Sequence, residues 1–484
     1  MRVHRGSRRL LLIQHTITAK QGLRRKWLDP VDGDLAKSKA IADAERERGA
    51  VRETTLVLCC SIDPDQTLIR DVHAAAGDNL DIDIWPGSRI ADFLDRDPEG
   101  QWLRQQEFGT DAVRLSATQT RDIARRSLAS YLPLVPRDEI VEREFDPALL
   151  AFARGARGAG FVIGESGLGK SAALRRLGDQ WLAGGGIALV LDHAVIEQAA
   201  TIEQAIMLGL RKWTPTLDSG CGKVALSLAS PEHPLLLIVE DINLASNPRR
   251  LVERMIAWSG GDRKDTTEIE WRLLCPVWRG NASLGDSQLS SHVLNRSLTI
   301  DRFEPDEAVA AVNARALAAG VTLTRLEAVD LAAALANDPL LIGLNADWAA
   351  AAPRNAIQSY IEAQIDSAAD DRLLASDLRS ALDYCAERMV EKREIAPTWN
   401  QIRTWHASDA DRLNGLRRLV DQGRIVRLGT DERLIYRHDR VRDHLLIHAI
   451  VRLIDCGRFS ADLWSEPFYA GLIGAGLTML PPGR

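Results

Sequence analysis

The sequence predicts an α/β protein built on a three-layer sandwich, a parallel sheet with helices on both faces. Helical additions follow it, and a small α/β domain precedes it. Three observations predict this. The apolar run GFVI passes at once into the glycine-rich GESGLGKS and then into SAALRRLGDQWL, with Ala, Leu and Trp at helical spacing. Further strand-length apolar runs, GIALVLD at 186–192 and PLLLIVED at 234–241, alternate with helical stretches such as 201–213. From 306 onward the pattern turns to Ala- and Leu-rich amphipathic helices and ends in two β-rich runs around a Gly-Thr-Asp turn.

The first domain spans 1–129. RRLLLIQHTIT, TTLVLCCSID and the alternating NLDIDIWPG read as strands, while DQTLIRDVHAAAG and SRIADFLDRDP read as helices, the latter opened by Ser88. The first 26 residues hold eight Lys or Arg and no acid, which suits a nucleic-acid backbone or an unstructured basic start.

The core spans 130–300. Gly164, four residues, then Gly169, Lys170 and Ser171 match G-x-x-x-x-G-K-[ST] without departure. Glycines allow positive φ and close approach to phosphates. The N–H groups of Gly164, Glu165, Ser166, Gly167, Leu168 and Gly169 then form an anion nest at a helix N-terminus. Lys170 would reach the β- and γ-phosphates, and the Ser171 hydroxyl would ligate Mg²⁺, so ATP and Mg²⁺ are the expected cofactors. PLLLIVED runs into Glu240 and Asp241. One carboxylate would serve the metal and the other would orient the attacking water. The usual order in this ATPase class is Asp then Glu. Here Glu240 is assigned to the metal and Asp241 to the water, with the reverse open. EWRLLCPVWRGN is a further strand ending in Arg279, read either as a γ-phosphate contact or as a surface arginine.

Composition is ordinary for a soluble globular chain: 484 residues, 45% hydrophobic and 26% charged. A net charge of −6 implies no general affinity for nucleic acid. Six cysteines without a C-x-x-C pair read as reduced thiols of a cytoplasmic protein rather than a zinc site. No apolar run approaches the roughly 18 residues a membrane span needs.

In their serial order these motifs resemble the STAND branch of P-loop ATPases, signalling NTPases related to AAA+ proteins and to NACHT and plant-resistance-type switches. YLPLVPRDEIVERE is similar to the Arg-x-Glu segment that precedes the loop near the adenine, with Arg137 and Glu139 on its positions. VEDINLAS resembles the acidic strand end, and RLLCPVWRGN the strand ending in an arginine sensor. DRFEPDEAVAAV looks like the start of the helical lid. NDPLLIGL resembles the lid segment whose proline, here Pro339, approaches the nucleotide. YRHDRVRDHLL resembles the His-Asp motif of the winged helix, with His438 matching the nucleotide-contacting histidine. The resemblance covers about 130–455. It implies a P-loop NTPase core over 130–300, a helical lid over 301–370 and a winged helix over 371–455. A helical region would start within 456–484, and it reads as truncated. It also implies a signalling or defence switch that binds ATP or ADP, self-associates and answers a protein trigger.

The residues of the tail agree. A helix from Leu378, PTWNQIRTW, DRLNGLRRLVDQG and the hairpin IVRLGTDERLIYRHD make three helices and a wing. Arg412, Arg417 and Arg418 open a DNA-reading alternative. Interleaved acids such as Asp409 and Asp421 favour a solvated face. His438 is either a nucleotide contact or a core histidine.

The N-terminal run IQHT, GDLAKSK, TTLVLCCSID, LDIDIWPGSRIADFL looks like the latter half of a restriction-endonuclease-like domain. Thr16 stands where that family's lysine would follow Gln14, and no acid precedes it, so nuclease activity is not expected. At the other end, LWSEPFYAGLIGAGLTMLPPGR is apolar and is expected to need a partner surface. Three functions stand: an ATP-switched signalling module, an ATP-powered DNA-processing protein, and an ATP-binding scaffold without hydrolysis.

Overall fold

The structure, a computed structural model, describes residues 2–5, 9–48, 53–77, 80–131, 141–155, 157–230, 232–240, 242, 245, 247–260, 270–278, 287–345, 348, 353–407, 409–429 and 432–480. They form two compact units, 1–122 with 210–225, and 123–209 with 226–484.

The first unit holds a four-stranded sheet: β1 (Arg2–Arg5), β2 (Arg9–Thr16), β3 (Glu53–Cys60) and β4 (Asp81–Trp85), side by side in that order. β1 runs antiparallel to β2, and the rest are parallel. Burial alternates along β2 and β3, as the two-residue period of a strand requires. Leu10, Leu12, Leu56 and Leu58 face a core completed by Leu23, Trp27, Leu68 and Val72 from helices Lys20–Leu28 and Gln66–Ala76. Gln14 and Thr16 lie on that buried side. The helix after β4 begins at Gly87, one residue before the expected opener. The Ser88 N–H is instead capped at 3.0 Å by the carboxylate of Asp63, which stands 25 residues earlier.

The second unit holds five strands: β5 (Gly158–Ile163), β6 (Ala188–Asp192), β7 (Leu235–Glu240), β8 (Trp271–Val277) and β9 (Ser297–Thr299). Their order is β6-β7-β8-β5-β9, and every pair is parallel. β5 and β8 are buried at every position, as strands covered by helices on both faces must be. This is the expected α/β class. From β5 the chain crosses to the far edge at β6, steps back through β7 and β8, then passes β5 to reach β9. The carboxyl end of β5 is therefore where the winding changes direction, the place in an open parallel sheet where a ligand crevice forms. Helix Lys170–Ala183 leaves from that end and packs Leu174, Leu177 and Trp181 against Val162, Leu236 and Ile238.

Beyond the sheet come helices Pro305–Ala318, Arg325–Ala334, Pro339–Leu344 and Pro353–Ala368. Helices Ala375–Lys392, Trp399–Trp405 and Ala410–Gln422 follow, then the hairpin of β10 (Val426–Leu428) and β11 (Leu434–Tyr436), then helix Asp439–Asp455. Thr398 with Gln401, and Asp409, cap two of these helices from their own side chains. The apolar C-terminal stretch differs from expectation. Helix Pro467–Leu477 buries Tyr469 and Ile473 in the same core as Leu382 and Leu446, so the chain itself covers that face. Trp464, Leu477 and Met479 remain exposed. No helix among the described residues is long and apolar enough to cross a membrane.

Candidate nucleotide-binding site

The loop after β5 shows why its glycines stand where they do. A Cβ on Gly164 would lie 2.7 Å from the carbonyl oxygen of Ile300, which leaves no room for a side chain. Gly167 and Gly169 hold φ of +88° and +86°, the left-handed region that glycine adopts without strain. Gly169 occupies the N-terminal cap of helix Lys170–Ala183, so the first-turn N–H groups, including that of Ser171, lack intrahelical acceptors and suit an anion. The Lys170 ammonium donates to the carbonyls of Gly164 at 2.9 Å and Glu165 at 2.8 Å. Burial pushes its pKa down to about 8, against the opposing pull of Glu165 and Asp439. It remains mostly a cation at neutral pH.

Glu240 ends β7 half-buried, level with Asp192 on β6. The Asp192 carboxylate caps its own helix by accepting from the Val195 N–H at 2.9 Å. β8 lies between β7 and β5, and the Gly164 N–H donates to the Val277 carbonyl at 3.2 Å. The acidic strand end and the loop thus share one edge of the sheet, one strand apart. Asp241, Arg279 and Arg137 lie outside the described residues.

Pro339 and His438 both belong to segments that reach the loop. The atoms nearest the Cβ position of Gly167 belong to Leu340, 2.9 Å away, and to Arg440, 3.3 Å away. Leu340 follows Pro339 in the first turn of helix Pro339–Leu344. Ala336 and Asn337 before it hold positive φ of 56° and 52°, an unfavourable pair that turns the chain into Asp338. Asp338 caps this helix through the N–H groups of Leu340 and Leu341, and it accepts from Arg440. His438 is the cap residue of helix Asp439–Asp455, its carbonyl accepting from Val441 and Arg442. Burial, reinforced by Arg437 and Arg440, pushes its imidazole down to about 4, so the ring is neutral at physiological pH.

Arg143 is a site residue that sequence reasoning missed. It is buried, and its guanidinium donates to the carbonyls of Leu168 (2.9 Å), Asp301 (2.9 Å) and Arg302 (3.1 Å). It also lies 3.6 Å from the Glu307 carboxylate and stacks on Phe303. One side chain therefore ties the loop to the start of helix Pro305–Ala318. Its signal was present, since Arg143 sits in the VERE of the segment already singled out upstream. Asp338 and Arg440 were missed in the same way, one next to Pro339 and the other two residues after His438.

The arginines behind the DNA reading are engaged within the chain. Arg412 lies 3.3 Å from Asp409 and stacks on Tyr384, Arg418 lies 3.5 Å from Asp370, and Arg417 stands over Trp399.

A parallel sheet of five strands flanked by helices, with a glycine loop and its lysine at the carboxyl end of a central strand, defines a fold of the P-loop NTPase class. The chain is similar to several solved structures. A Walker-type ATPase, PABY2304 of Pyrococcus abyssi, is 12% identical with a TM-score of 0.33, over 63% of this chain and 95% of that one. Cdc6p from Pyrobaculum aerophilum is 14% identical with a TM-score of 0.30, over 65% and 93%. The Holliday junction branch migration motor RuvB of Thermotoga maritima is 15% identical with a TM-score of 0.27, over 62% and 94%. No protein-family model matches the sequence, and no curated protein does.

Proposed function

We propose that the chain binds ATP·Mg²⁺ at Gly164–Ser171, hydrolyses it slowly, and uses the nucleotide state to set the packing of its C-terminal helices, as a STAND-type switch does. In this reading 301–370 is the lid and 371–455 the winged helix. The observation that carries it is the double cover on Gly167, Leu340 from one module and Arg440 from the other. Phosphates entering the loop would meet both. Lys170 would hold the β- and γ-phosphates, and Ser171 with Glu240 would hold Mg²⁺. Asp241 would orient water, Arg279 would meet the γ-phosphate, and Arg137 would lie near the adenine. Mg²⁺ held by these residues would neutralise charge on the β- and γ-oxygens. Self-association, a protein trigger, a signalling or defence role and a cytoplasmic location belong to the same proposal. The paired state of Arg412 and Arg418 favours this reading over DNA processing.

Calorimetry of ATP·Mg²⁺ binding tests it. Lys170→Ala should lower affinity by about 1.5–3 kcal/mol, the range for a hydrogen bond to a charged group. Equal affinity in parent and variant overturns the assignment.

A further inference from the structure

A second cationic site lies at the opposite end of the same sheet. Arg272 is on β8 with 0% of its surface exposed. Its Nη1 donates to the Gly158 carbonyl at 3.2 Å, and its guanidinium stacks 4.3 Å from the Phe152 ring centre. Its Nε and Nη2 are buried without a hydrogen-bond partner. The neighbouring strand is cut back to receive it, because a Cβ on Gly160 would run into the guanidinium. That accounts for Gly160, while Gly158 answers to its φ of +78° and to Ser259, 2.7 Å from where its Cβ would lie.

Two more arginines converge there. Arg157 immediately precedes β5, whose Gly158 is the register partner of Arg272. Arg296 immediately precedes β9, and its carbonyl accepts from the Phe161 N–H at 2.9 Å. Burial, reinforced by the like charges of Arg296 and Arg157, pushes Arg272 down to about 9. Arg157 and Arg296 are half-buried, so the cluster has a solvent-facing side. A buried cation with idle donors and like-charged neighbours is strongly unfavourable. An oxyanion reverses that balance, since guanidinium donors bind it with short, charge-assisted bonds.

We propose that Arg272, with Arg157 and Arg296, holds a small phosphate-class oxyanion at the amino end of the sheet, separate from the Gly164–Ser171 loop. Arg272 is closed to solvent, so the ion would enter from the side of the half-buried Arg157 and Arg296.

Orthophosphate is the probe. Thermal unfolding of the full chain is followed at neutral pH as phosphate replaces chloride at constant ionic strength. The parent should show a saturable rise in melting temperature, and Lys170→Ala should keep it. Arg272→Met should be at least as stable as the parent in chloride, because an uncompensated buried cation is gone. It should also lose the phosphate response. Arg296→Gln, at a half-buried position, should weaken apparent phosphate affinity roughly tenfold or more. Three results overturn the proposal: no saturable response in the parent, a response lost with Lys170→Ala but kept in Arg272→Met, or unchanged affinity in Arg296→Gln. If Arg272→Met does not fold, the Arg296→Gln and Lys170→Ala arms decide alone.

Discussion

The Nη1 of Arg440 donates to both carboxylate oxygens of Asp338, at 2.9 and 2.7 Å, across 102 residues of sequence. The carboxylate is almost fully buried and the guanidinium is one-third exposed. Asp338 therefore depends on Arg440 and on the two N–H groups it caps, and removing the arginine leaves a buried charge short of a partner. The same Arg440 stands over Gly167. The pair thus fastens the helix after Asp338 to the helix after His438 directly above the loop.

Arg143 should be a clamp rather than a point charge. Arg143→Lys keeps the cation but cannot reach three carbonyls at once. Arg143→Ala also takes the cation from the buried Glu307 carboxylate, leaving it the N–H groups of Glu144 and Glu304. We expect the alanine variant to lose about 3–5 kcal/mol of stability in chemical denaturation, with lysine recovering only part. Full recovery by lysine would show that the fork geometry is irrelevant.

ATP affinity should depend on pH through Lys170. Without ligand the lysine titrates at about 8, below the ordinary 10.5, and a phosphate raises it again. Below pH 8 the cation already exists and affinity should be flat. Above pH 8 binding must recharge the lysine, so affinity should fall up to roughly tenfold per pH unit. Titrations of parent and Lys170→Ala across this window check it, the variant being expected to lose the slope.

Acid should loosen the C-terminal module. His438 and His444 both titrate near 4 when folded, against 6.5 ordinarily, chiefly through burial. His444 also packs against His448, 4.5 Å between ring centres. With folded values lowered, the unfolded chain takes up protons first. The stabilising contribution is whole above pH 6.5 and is lost as pH falls toward 4, by up to about 3 kcal/mol per histidine. Chemical denaturation of His438→Gln should show a shallower loss than the parent over that range.

What was legible in the sequence was whatever local spacing dictates. GESGLGKS demands particular backbone angles, and Gly167 and Gly169 have them. The alternation of RLLLIQHT and the unbroken PLLLIVE report their own burial. What was hidden depends on closure of the chain on itself. β9 is three residues long at a sheet edge and carries no pattern. The cap on Ser88 comes from Asp63, and the clamp on Leu168 from Arg143, each 25 residues away. Helix Pro467–Leu477 looked orphaned because its apolar residues carry no sign of Met389, whose carbonyl accepts from the Tyr469 hydroxyl.

In the proposed switch, the two modules over Gly167 hold nucleotide in the loop. The rate of ADP release, followed with a fluorescent ADP analogue, tests it most directly. Arg440→Ala removes a contact worth about 1–3 kcal/mol in the closed arrangement, so release should quicken roughly 5- to 150-fold. Asp338→Asn, which keeps the helix cap but not the charge, should quicken it in the same direction. Unchanged release in both variants, each folded and still binding ADP, would contradict the account.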